Sequence, residues 1–81
     1  MPALAPVPPR VFKRLLELAG YQSVAEDAHC WMLLSGDHPA VVPKHGDVVV
    51  LEIMDSILNA AQVDNARYFE LLARARMDCA L

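Results

Sequence analysis

The chain has 81 residues, 56% of them hydrophobic, and ten acidic side chains against seven basic ones give a net charge of −3. That length makes one domain with a thin core, and the acidic balance argues against a general nucleic-acid binder, because contact with phosphates needs a basic footprint. No apolar run approaches the ~20 residues of a membrane span, and two cysteines, Cys30 and Cys79, are too few for a disulfide framework, so a reduced, cytoplasmic protein is expected.

Residues 1–8, "MPALAPVP", have no basic region ahead of an apolar one; they read as a flexible or extended proline-rich arm and not as a secretory signal. Pro9 suits the first turn of a helix, where its missing N–H is no loss. Phe12, Leu15, Leu16 and Ala19 then follow at helical spacing, and Gly20 stops the helix in a left-handed conformation. The polar side of this helix, residues 9 or 10 to 19, carries Arg10, Lys13, Arg14 and Glu17.

"YQSVAED" is a weak strand and "HCWMLL" a stronger one. "SGDHP" has turn residues at hairpin spacing, "AVVP" is the third strand, ended by Pro43, and "KHGD" is a loop. A helix over about residues 50–61 follows, entered through a short extended piece. Asp64 is placed to cap a last helix, "NARYFELLARARM". One domain over residues 9–77 results, with a tail at 78–81. Three antiparallel strands must cover one face to be stable, so the order predicts an α+β two-layer sandwich with the helices on one side of the sheet. The high apolar content also fits a chain that hides surface against a second protein, and the apolar last helix is compatible with a homo-oligomer.

Residues 26–47 hold all three histidines, the one Trp and one of the two Cys. Strand alternation puts Cys30, Met32 and Leu34 on one face and His29, Trp31 and Leu33 on the other. Small Cys and pliable Met suit the packed face, which would set His29 and Trp31 on the open one. There Trp31 could stack a base, worth about 1–3 kcal/mol. His29 could take the proton of a ribose 2′-OH, a role that typically gives about 10²–10⁴-fold. Lys44 and Lys13 are the candidates to steady phosphate charge, and Arg10 and Arg14, one turn apart, could guide it. The plain alternatives are a solvated His29, a Trp31 that anchors a protein interface, and a solvated basic helix face. His29, His38, His45 and Cys30 lack the close paired spacing of a structural zinc site, so neither metal nor cofactor is expected. Cys30 lacks a base to activate it.

Five pieces in order carry a resemblance: "VFKRLLELAGY", "DAHCWML", "VVPKHGD", "MDSILNAAQ" and "VDNARYFELL". Over about residues 8–72 the chain resembles the HicA family of toxins from type II toxin–antitoxin systems. The resemblance implies a double-stranded-RNA-binding-domain-like fold and a small, metal-independent ribonuclease that cleaves mRNA and is silenced by a HicB-type antitoxin. Its catalytic histidine falls on His29, and the histidine of the "VPxH" loop falls on His45, beside the RNA surface. Asp27-Ala28 stands where the family has Gly-Ser, and "VVVLEIM" where it has a basic, glycine-containing turn. With the acidic total, these departures give a second reading, a HicA-like module that binds RNA or protein without cleaving.

Overall fold

The computed structural model describes residues 5–79. Pro9 opens helix α1 (Pro9–Leu18), and the Phe12 N–H reaches the Pro8 carbonyl at 3.0 Å. Val11, Phe12, Leu15 and Leu16 are buried, one stripe at the helical period. Gly20 sits at φ +112°, and the chain turns there with the Tyr21 N–H on the Leu16 carbonyl at 3.0 Å, the stop that the sequence predicts.

Three strands follow: β1 (Gln22–Glu26), β2 (Cys30–Ser35) and β3 (His38–Pro43), paired antiparallel in the order β1-β2-β3. The β2–β3 hairpin turns on two residues, Gly36 and Asp37; positive φ at Gly36 alone fits the type II′ geometry. The third strand therefore starts at His38, two residues earlier than the turn signal suggested. β1 is an exposed edge with a bulge between Ser23 and Ala25.

The facing of β2 is the reverse of the one expected. Leu33 is 1% exposed and half-buried Trp31 packs against the core, whereas Met32 is 36% exposed and Leu34 is exposed too. Register explains it. Leu33 pairs with Ala40 and Trp31 with Val42, and cross-strand partners share a face. Ala40 and Val42 are buried, so their side of the sheet is the one that α1 covers, and their small side chains leave room for it.

Helix α2 (Leu51–Ala60) is entered through an extended segment whose Val49 N–H bonds the Val7 carbonyl at 2.7 Å. Val7 and Val49 are both buried, so the arm expected to be flexible is anchored in the core at Val7; residues 1–4 lie outside the described residues. Helix α3 (Asn65–Cys79) begins as expected, with Asp64 Oδ1 accepting from the Arg67 N–H at 2.8 Å. It runs through Asp78 and Cys79, so half of the expected tail is helical; residues 80–81 lie outside the described residues. Met54 and Leu58 of α2 and Tyr68, Leu71, Leu72 and Ala75 of α3 join the residues of α1 and the sheet in one core. α3 lies against α1 and absorbs most of its own apolar stripe there. The result is an α+β fold with an open three-stranded antiparallel sheet and three helices. Among the described residues, no helix is long and apolar enough to cross a membrane.

Candidate functional site

The turn between β1 and β2 sets the site. Asp27 Oδ1 accepts from the backbone N–H of His29 at 2.7 Å and of Cys30 at 2.9 Å, while the Asp27 N–H bonds the Cys30 carbonyl at 3.0 Å. Those backbone donors hold the Asp27 carboxyl below its usual range. The carboxylate is thus spent on the turn, capping the strand start. The Lys44 N–H adds a further bond to the His29 carbonyl at 2.8 Å, one rung beyond the Cys30–Pro43 pair. His29 is exposed, but its backbone is fixed on both sides.

Directly after Lys44 the chain bends at Gly46 (φ +83°), and His45 turns its ring toward His29. His29 Nδ1 and His45 Nε2 are 2.7 Å apart, the rings are tilted by 43°, and their centroids are 5.0 Å apart. The centroid separation matches the bond plus one ring radius at each end, so the two nitrogens point at each other along one line. Imidazoles sharing a metal ion would converge on a third point instead. Among the described residues, no group of three or more His, Cys, Asp or Glu side chains is placed to hold a metal ion, and none hydrogen-bonds His29 Nε2.

Two cations meet at Trp31. Lys44 Nζ bonds Glu26 Oε2 at 2.7 Å and the Asp27 carbonyl at 2.6 Å, and lies 5.2 Å from the Trp31 ring centroid. Lys13 Nζ lies 5.6 Å from that centroid and 3.3 Å from Glu17 Oε2. One indole thus joins an ammonium from α1 to another from the end of the sheet. Lys44 holds the Glu26 carboxyl below its usual range, first by hydrogen bonding and then by charge. The half-buried Cys30 thiol is pushed up by burial and then by the Asp27 carboxylate, which leaves it a poor nucleophile.

The structure therefore brings His29, His45, Lys44, Trp31 and Lys13 to one end of the sheet. It does not set His29 and Trp31 on an open strand face, because that face is the one under α1; His29 is reached from the turn. Arg14 points elsewhere: it pairs with Asp78 at 2.8 Å and Glu17 at 3.7 Å, while exposed Arg10 stands at the start of α1. His38 lies at the far end of the sheet, in a shallow cleft of about 210 Å³ lined also by Tyr21, Ser35 and Gln62. Sequence reasoning missed the two carboxylates, Glu26 and Asp78, that occupy candidate phosphate-binding cations, and it missed the contact between His29 and His45. The two-residue hairpin carried a signal for that contact: centred on Gly36–Asp37, it sets position 44 opposite 29 and position 45 beside it. No family model matches the chain, and neither a curated protein nor a solved structure is significantly similar to it.

Proposed function

We propose that the chain is a HicA-like, metal-independent endoribonuclease that acts on mRNA in the cytoplasm and is neutralised by a HicB-type antitoxin, on a double-stranded-RNA-binding-domain-like two-layer core extended by α3. One observation carries the reading: an exposed histidine, His29, sits on a turn whose backbone is pinned, in part by the Lys44 N–H, with no hydrogen bond to its Nε2 among the described residues. In the reaction, His29 Nε2 takes the 2′-OH proton, the oxygen attacks the adjacent phosphorus, and the 5′ oxygen leaves with a proton from water. The product is a 2′,3′-cyclic phosphate, and the step requires no metal. Lys44 and Lys13 steady the charge on phosphate, Trp31 offers an indole edge to a base, and Arg10 borders the strand's path.

Two observations favour the second reading, an interaction module that has lost cleavage. Lys44 and Arg14 are each paired with a carboxylate, and the uncovered sheet face shows Met32, Leu34 and Val41, a surface suited to protein more than to phosphate. Exposed ion pairs are worth about 0–1 kcal/mol, so a phosphate can displace Glu26, and the ribonuclease reading is preferred. The test is expression of the wild type and His29→Ala in a bacterium, with growth and bulk mRNA followed. Growth arrest and mRNA loss with the wild type, both relieved by the substitution, are expected. Equal harmlessness of the two would leave the module.

A further inference from the structure

We propose that His45 is a positioning residue for His29: its Nε2 accepts from His29 Nδ1–H, which fixes the proton of the neutral His29 ring on Nδ1 and leaves Nε2 as the base. The assignment rests on the ribonuclease reading and deepens it.

A 2.7 Å nitrogen–nitrogen contact between two neutral imidazoles holds one proton, so one ring donates and the other accepts. If His45 donated, the remaining proton of neutral His29 would sit on Nε2, and that atom could not take another. If His45 accepts, Nε2 of the exposed His29 carries the lone pair. Only the second arrangement makes His29 a base. A solvent-exposed imidazole on a turn would otherwise rotate freely and exchange tautomers. The in-line bond fixes the ring angle, and with His45 as the acceptor it also holds the proton on Nδ1. This is the pattern of a base held by a third group, with an imidazole in place of the usual carboxylate.

The contact also works harder as the reaction proceeds. When His29 takes the ribose proton it becomes an imidazolium, and its Nδ1–H bond to His45 becomes charge-assisted, roughly twice as strong as a neutral bond. An interaction stronger in the transition state than in the ground state raises kcat and leaves substrate binding largely unchanged. An RNA-contacting His45 would do the opposite and act on KM.

The test uses the full chain, with wild type, His45→Leu and His45→Gln compared. Gln places a non-titrating amide oxygen where Nε2 stood and can accept the same proton; Leu cannot. Long-range ¹H–¹⁵N correlation spectra assign the tautomer of His29 without any substrate. We expect Nδ1–H in the wild type and in His45→Gln, and a shift toward Nε2–H in His45→Leu. On a fluorescent mixed-sequence single-stranded RNA, His45→Leu should lower kcat about 10- to 100-fold, part of the general-base contribution, with KM near the wild-type value, and His45→Gln should recover most of it. An Nε2–H tautomer of His29 in the wild type overturns the proposal. So does a His45→Leu variant that raises KM at unchanged kcat, or a His45→Gln variant no better than His45→Leu. The expected tautomers with a wild type that cleaves no RNA overturn the ribonuclease reading alone and uphold the pairing of His45 with His29.

Discussion

Tyr68 is 1% exposed, and among the described residues its hydroxyl has no hydrogen-bond partner. A buried hydroxyl left unpaired costs about 1–3 kcal/mol, the lost hydration of the group. The ring itself fills the core between α1 and α3 and stacks edge-on against Phe69. Tyr68→Phe keeps the ring and removes the cost, so it should raise stability by about 1 kcal/mol in urea denaturation; a loss of stability would mean the hydroxyl has a partner in solution. The same residue sets an alkaline limit. Burial pushes the Tyr68 phenol above its ordinary value near 10, so the native state keeps a proton that the unfolded chain releases. This contribution is fully present below the unfolded value and is lost as pH rises through the raised one. In Tyr68→Phe that part of the alkaline slope should vanish.

At the scale of elements, α1 and α2 end by the same backbone device with different residues. Gly20 follows α1 at φ +112°, and nothing stands near the place a Cβ would take, so it is the dihedral that asks for glycine. Gln62 follows α2 at φ +59°, with the Val63 N–H on the Leu58 carbonyl at 3.0 Å. A side chain in that region costs about 1–2 kcal/mol, partly offset in a glycine by the greater freedom of its unfolded chain. Gln62→Gly should therefore raise stability by about 0.5–1 kcal/mol and shift the denaturation midpoint upward, and a lower midpoint would show that the Gln62 side chain holds the turn. The contrast also shows what a sequence can disclose. The end of α1 was legible because Gly20 stood there; the end of α2 was legible only as a fading of the apolar period. Strand positions were legible from turn residues and branched side chains. The phase of β2 was not, because "CWMLL" is apolar on both faces and alternation alone cannot choose between them. What α1 covers chose it, and that is a long-range property. His29 was singled out as a candidate through resemblance, whereas its contact with His45 needed the hairpin register.

For the molecule as a whole, the deciding quantity is where its charges go. The chain answers its candidate phosphate-binding cations: at the His29 end of the sheet Glu26 from β1 takes Lys44 at 2.7 Å, and away from it Asp78 from the last turn of α3 takes Arg14 at 2.8 Å. Asp78 also holds Arg14 more firmly in its charged form. Neither carboxylate supports the core, since both are exposed. If RNA is the ligand, each ion pair competes with a phosphate for the same cation. Removing the competitor should tighten binding by no more than the pair is worth, about 0–1 kcal/mol or up to about fivefold. Glu26→Gln should accordingly bind a labelled single-stranded RNA about two- to fivefold more tightly than the wild type in a fluorescence-anisotropy titration. If it gains one phosphate contact, the slope of log affinity against log salt should steepen by about 0.7. The matched loss of one charge on α2, Glu52→Gln, controls for the change in net charge alone. Equal affinities for Glu26→Gln and Glu52→Gln would mean that Lys44 meets no phosphate, and the balance would then shift to the apolar sheet face and a protein ligand.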